Sequence, residues 1–393
     1  MMRESKAIPI DEEAAIAELF SMLRVDSIWG HEGALATQLA EEMEAEGFAD
    51  VALIEPVPGR PSVVGRIRGT GGGRSLILNG HIDIYELSAD WTRDPFVPAI
   101  EDGRIYGAGV ADEKAGTAGL LAATRLFLDP ARRPKGDIIF MAVSAHFEGG
   151  LGTRAVLGSG IRADAGLTCE PSELRLANAH RGAAYLTIVT RGRQAHTSAK
   201  HLGINAIETM IPILQGLNAL QFVYEPDAFG GPLLNIGTIH GGTKHNQVPD
   251  RCEISVDIRV PPSVTPEVAK LRVEQMIAEL RQQHPALDAT VKFSPFWLSG
   301  PRYPSLTPPE EPIVQTVRAA RRAAGLLGDE LTGLPVWADM CVLNQAGIPT
   351  VNIGPGGPPY NWADESVSVD EYLAAVRTYA ATIADFCNQP DSG

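Results

Sequence analysis

The run Ile138–Ala145, IIFMAVSA, constrains the fold more than any other segment. It is far too short to cross a bilayer, which takes about 20 helical residues. A strand over Asp137–Ser144 is apolar toward both faces. Such strands lie at the centre of a sheet covered on both sides by helices. An α/β layer architecture with a central sheet follows.

The flanking patterns agree. Asp11-Glu12-Glu13 opens a helix running to about Arg24, with acids where the helix dipole favours them. A second helix fits His31–Glu46, and β-rich runs follow at Val51–Ile54, Ser62–Ile67 and Ser75–Leu78. Lys114–Leu128 reads as a helix. The middle third differs: strand Ala183–Thr190, helix Ile204–Leu220, strands Leu233–His240 and Cys252–Val260, a helix from Thr265-Pro266-Glu267 to about Gln283, and strand Asp288–Phe293. The order β-α-β-β-α-β is a ferredoxin-like α+β unit. It predicts an inserted domain over residues 182–293 inside a catalytic domain made of 1–181 and 294–393. Helix Pro312–Ala324 and a last helix from about Asp370 close the chain.

With 44% hydrophobic residues the chain has the apolar mass to fold. A net charge of −15 repels phosphate backbones and anionic lipid, so nucleic acid and membrane are poor partners. Cys169, Cys252, Cys341 and Cys387 are widely spaced, as expected of reduced thiols. The first twenty residues show no secretory h-region, so a cytoplasmic protein is expected.

Three segments carry chemistry. LILNGHIDI puts His81 and Asp83 just past a strand, GAGVADEKAG puts Asp112 in a Gly-rich turn heading a helix, and LTCEPSE puts Glu170 after another strand. One imidazole and two carboxylates at strand ends can converge on one divalent ion. Asp83 is then the partner that orients His81.

These segments, with WTRDPF, GLGTRAVL, AHRGAAYLTIVTRGRQAHTS, GGTKHNQVPDRCEISVDIR and AGIPTVNIGPG, resemble the metallohydrolase family of acetylornithine deacetylase, succinyl-diaminopimelate desuccinylase, carboxypeptidase G and aminoacylase. The resemblance runs over nearly the whole chain. It implies a catalytic α/β domain, an inserted lid domain that dimerises, and two metals. One metal site maps onto His81, Asp112 and Glu170. The other uses the same bridging Asp, a Glu of an Asp-Glu-Glu-x-Gly-Gly motif whose preceding Glu is the general base, and a C-terminal His. Here the sequence departs from the family. Aligned without a gap, the Asp-Glu-Glu-x tetrad falls on Ala145, His146, Phe147 and Glu148, and the C-terminal His becomes Asn361. Both private ligands of one metal are missing, which predicts a single ion, manganese or zinc.

His146 then stands at the base position, where an imidazole with pKa near 6.5 is suited to proton transfer at neutral pH. Glu148 is a second candidate base. The resemblance further assigns His196 to oxyanion stabilisation in a neighbouring subunit. It assigns Asn246 and Arg259 to a substrate carboxylate, and Gly354, Gly356 and Asn361 to the lining of the pocket. Pairing of Arg259 with Asp257 is not expected, on the argument that adjacent strand positions point apart. Trp337, Tyr360 and Trp362 are candidates for an aromatic wall. The implied activity is hydrolysis of a C–N bond in a small carboxylate-bearing molecule by one metal-bound water. The bond is either the amide of an N-acyl amino acid or dipeptide, or an aromatic amine released as ammonia, as in 5-nitroanthranilate aminohydrolase. A non-catalytic small-molecule binder is the rival from another class. A homodimer or higher homo-oligomer is expected.

Overall fold

The computed structural model describes residues 8–225, 229–294, 301–358 and 362–391. The chain divides into two compact units, one of residues 1–179, 306–334 and 338–393, the other of 180–305 and 335–337.

The first unit is built on a mixed sheet. Its central strands run in the order Arg60–Ile67, Ile138–Val143, Leu76–His81, Ala165–Thr168, Thr350–Asn352, the last four mutually parallel. Arg60–Ile67 pairs antiparallel with Ile138–Val143 and, by a hairpin, with Ala49–Val57. Every residue of Ile138–Val143 is buried, as its unbroken apolarity requires. Each fully buried Ile, Phe or Val there contributes about 1.5–3 kcal/mol of transfer free energy. Helices Glu12–Leu23, Gly33–Glu46, Ala115–Arg125 and Val369–Phe386 bring their apolar stripes to the same core. Asp11 caps the first of them, accepting the Ala14 N–H at 3.0 Å.

The second unit is a four-stranded antiparallel sheet in the order Leu233–Gly241, Arg251–Val260, Gly182–Arg191, Asp288–Phe293, with helices Ala206–Asn218 and Pro266–Gln283 packed on it. This is the ferredoxin-like order. Thr265 caps its helix through the Val268 N–H at 3.3 Å, with Pro266 in the first turn.

Local departures have local causes. The helix expected from His31 starts at Gly33, because Ile28–His31 closes a turn through the His31 N–H, 2.7 Å from the Ile28 carbonyl. The helix expected over Lys114–Leu128 is regular only over Ala115–Arg125. Before it the chain takes a wider turn, Val110–Lys114, with Asp112 and Glu113 off helical geometry. A small sheet of Ala99–Glu101, Arg104–Tyr106 and Ser366–Ser368 was not foreseen. Its strands are three residues each and one partner is remote in sequence.

Candidate metal centre

Parallel strands end together, so their C-terminal ends present side chains to one place. His81 closes strand Leu76–His81, and Glu170 follows strand Ala165–Thr168. His146 follows strand Ile138–Val143, turned inward at Ala145, whose φ is +56°. Asp112 is supplied by the turn Val110–Lys114. Two groups pin that turn. Glu365 accepts the Gly109 and Ala111 N–H groups at 2.5 and 3.2 Å. Lys114, fully buried, donates to the Met22 and Val25 carbonyls at 3.2 and 2.9 Å, and burial pushes its pKa down to about 7.

His81 Nε2 lies 3.2 Å from Asp112 Oδ1 and 3.9 Å from Glu170 Oε1. His146 Nε2 lies 3.5 Å from that same Glu170 oxygen. The two imidazoles stack, centroids 4.2 Å apart and planes 16° from parallel. Among the described residues, His81, His146 and Glu170 form the cluster able to hold a metal. Sequence reasoning therefore placed His81, Asp112, Glu170 and His146 in one site, and the structure brings all four together.

The outer nitrogens decide how this cluster is charged. His81 Nδ1 is 2.9 Å from the carbonyl of Asp83, and His146 Nδ1 is 3.4 Å from Asp339 Oδ1. A neutral imidazole has one N–H. With that proton on the outer, acceptor-facing side, both Nε2 lone pairs face inward toward carboxylate oxygens. Asp83, Glu113 and Asp339 add further buried carboxylates, with exposures of 0, 3 and 3%. Among the described residues, Asp83 Oδ1 and Glu113 Oε2 find no hydrogen-bond donor. So many inward-facing acceptors suit a cation, and a donor set of imidazole and carboxylate fits a divalent metal ion.

The proton affinities carry the same signature. Burial and the neighbouring Glu113 push Glu170 well above the ordinary carboxylate range. Burial carries Glu113 up to about 7, and Asp83 is also raised by burial. Burial alone would lower His81, but Glu113, Asp112, Glu170 and Asp83 outweigh it and raise it well above 6.5.

Several expectations are corrected. The orienting bond to His81 comes from the backbone carbonyl of Asp83. The Asp83 carboxylate is 3.8 Å away and instead accepts the Phe147 N–H at 3.2 Å. Glu148 is fully buried and bound by Arg60, and it also accepts the Trp29 indole N–H. Arg60 in turn holds Glu32 through Nε at 2.9 Å. The Oε1 of Glu148 is thus engaged by two donors, as that of a structural carboxylate is.

The amides of Gly354 and Gly356 donate to Ser172 Oγ and Glu371 Oε1, at 3.0 and 2.9 Å, so these two N–H groups are already engaged. Gly354 is needed for close approach. A Cβ there would stand 1.9 Å from the Cys169 carbonyl oxygen, so this loop supports the backbone carrying Glu170.

Phe147, which the ungapped alignment puts at a ligand position, packs beside the two histidines. Its ring centroid is 5.5 Å from His81 and 5.4 Å from His146, with Tyr85 stacked at 4.0 Å on it. Asn361 and Tyr360 fall outside the described residues.

The remaining candidates, Trp362 excepted, belong to the other unit. His196 is exposed, with Nδ1 2.8 Å from Ser198 Oγ. Asn246 is exposed nearby and accepts the Thr197 N–H at 3.1 Å through its backbone. A recess of about 360 Å³ is lined by both. Arg259 does pair with Asp257, at 3.0 Å, because residues two apart on a strand share a face. Trp337 packs on Arg302, and Trp362 is largely exposed.

Sequence reasoning missed Glu113, Asp339 and the Glu32–Arg60 pair. Glu113 was adjacent to a named ligand and visible. Asp339 and Arg60 reach their partners only through the tertiary fold.

The comparisons agree with this architecture. Residues 178–285 match the family described as a peptidase dimerisation domain, and residues 62–163 match peptidase family M28. A tripeptidase from Staphylococcus aureus superposes with a TM-score of 0.81 at 22% identity, over 97% of this chain and 100% of that one. An M20 family metallo-carboxypeptidase from Sulfolobus solfataricus gives 0.70 at 18%, over 94% and 98%. A dinuclear metal-binding M20 family peptidase from Bacillus subtilis gives 0.71 at 17%, over 96% and 99%. Among the described residues no helix is long and apolar enough to cross a membrane. In its fold, its dimerisation domain and its buried His/Glu cluster, the chain is similar to the M20-type metallohydrolases.

Proposed function

We propose that this chain hydrolyses a C–N bond in a small carboxylate-bearing substrate with a single divalent ion, manganese or zinc, per subunit. His81, Asp112 and Glu170 would hold the ion. When bound, the ion lowers the pKa of a water from about 15.7 toward about 7 and polarises the electrophile. His146 presents an inward Nε2 lone pair to the same place and accepts the proton as the nucleophile attacks. It then returns that proton to the leaving nitrogen. Asp83, through its carbonyl, keeps the His81 ring turned inward. His196 and Asn246 are proposed to act on substrate in a homodimer, which the dimerisation-domain match supports.

The observation that carries the one-ion reading is Phe147. An apolar ring packed against both histidines supplies no ligand atom at the position where the family resemblance implies a carboxylate. Two substrates follow from two observations. Solved structures of similar fold are named as peptidases, which favours an amide. The Tyr85–Phe147 aromatic face beside the histidines favours an aromatic amine acid of the 5-nitroanthranilate type. Arg259 would take the substrate carboxylate only by sharing its guanidinium with Asp257.

The manganese- or zinc-loaded protein is assayed against dipeptides and N-acyl amino acids for amine release, and against 5-nitroanthranilate for ammonia. Turnover in one arm chooses the substrate. Binding without turnover in either arm, by protein with a full ion complement, would refute hydrolysis and leave a binder.

A further inference from the structure

Asp339 was not among the residues that sequence motifs singled out, yet its placement is the most constrained in the cluster. It is 3% exposed and precedes helix Met340–Gln345. Oδ2 accepts the Thr153 hydroxyl at 2.7 Å. That hydroxyl oxygen accepts an N–H of Asn79 at 2.9 Å. Asn79 lies on the same strand as His81, two residues earlier. Oδ1 faces His146 Nδ1 at 3.4 Å. A buried chain of polar groups thus links the strand carrying one histidine, through helix Leu151–Gly158, to the ring of the other.

We propose that Asp339 is a positioning residue: held by Thr153 and Asn79, it fixes the His146 ring in the tautomer with the proton on Nδ1, leaving Nε2 bare toward Glu170. The physical basis is the cost of facing two acceptors. With the proton on Nε2, the Nδ1 lone pair would meet a buried carboxylate oxygen, and burial strengthens that repulsion. With the proton on Nδ1, the contact is attractive, and the corresponding repulsion of the bare Nε2 by Glu170 would be relieved by the ion that Glu170 would hold. Without Asp339 the ring loses this bias and is free to rotate or exchange tautomers. A carboxylate behind a histidine is a recurrent means of setting which nitrogen is basic. Thr153 matters because it takes up Oδ2 and so directs Oδ1 at the ring.

The inference rests on the proposed role of His146 only in what the bare nitrogen is for. The tautomer itself is read without turnover. Protein labelled with ¹⁵N at histidine is loaded with zinc and studied by two-bond ¹⁵N–¹H correlation, well above the ordinary imidazole pKa of about 6.5. The His146 signals are assigned by their loss in His146→Gln. The expected result is one proton, on Nδ1, in the wild type. Asp339→Asn keeps an acceptor oxygen and retains that tautomer. Asp339→Leu removes it and shows a population protonated on Nε2. A wild-type ring protonated on Nε2, or on both nitrogens, overturns the proposal. So does a folded Asp339→Leu protein with the wild-type pattern. If Asp339→Leu does not fold, the wild-type spectrum and Thr153→Val decide, the latter by the same appearance of Nε2–H. A wild-type ring protonated on Nδ1 in an enzyme that binds two ions would uphold this inference and refute the one-ion reading.

Discussion

Replacing Arg60 by Met tests whether the turn carrying His146 is anchored as the structure indicates. Arg60 is 8% exposed and sits between Glu32 and Glu148, both fully buried. It donates to Glu32 at 2.9 Å through Nε and at 2.5 Å through Nη2, and its Nη1 binds Glu148. Methionine fills the volume but leaves two buried carboxylates with no cation. Breaking one buried ion pair costs about 3–5 kcal/mol. The chain can limit the loss by protonating the acids. For an ordinary glutamate with pKa about 4.3, that costs about 3.7 kcal/mol at pH 7 and about 1 kcal/mol at pH 5. With two acids to protonate, the destabilisation is about 3–5 kcal/mol at pH 7, set by the broken pair, and about 2 kcal/mol at pH 5. For a unit of this size about 2 °C accompanies each kcal/mol, so Tm falls by about 6–10 °C at pH 7. Thermal unfolding of wild type and variant at both pH values measures this. A drop of under about 2 °C, or an equal drop at both pH values, would refute the reasoning.

Other consequences are as direct. Chelation should lower Tm, and added manganese or zinc should restore it. Ion at about 100 times its Kd contributes about 2.7 kcal/mol, and Glu170→Gln should abolish the difference. Burial and the charge of Asp112 raise Glu365 to about 8 despite the two amides it accepts. Folded protein then binds more protons than unfolded between about pH 4.5 and 8, so metal-free protein loses stability as pH rises through that window, by up to about 1.4 kcal/mol per pH unit. Glu365→Gln should flatten this slope in urea titrations at stepped pH; an unchanged slope contradicts it. Phe147→Glu with Asn361→His should raise ion binding from one toward two per chain by elemental analysis, and no increase counts against the assignment of those positions.

The parts of the fold with strong periodicity were legible in the sequence. Ile138–Val143 announced the central sheet by apolarity, and Thr265-Pro266 announced a helix start by cap chemistry. Short strands such as Ala99–Glu101 carry too few residues to show a period and are fixed by remote partners. The site followed the same division. His81, Asp112 and Glu170 stood in local motifs at strand ends, and His146 was placed by alignment. The contacts around them come from residues far away in the chain: Asp339 facing His146, and Glu365 behind the Asp112 turn. Arg259 shows a different failure. Its pairing with Asp257 was readable, since strand positions two apart lie on one face, and the rule was misapplied. Glu148 was misread because a candidate base is judged by its surroundings, and Arg60 and Trp29 become its neighbours only on folding.

Elemental analysis of protein purified without chelator and dialysed against manganese or zinc tests the central claim most directly. The account predicts about one ion per chain, lost in Glu170→Gln. Two ions per chain in the wild-type protein would contradict it.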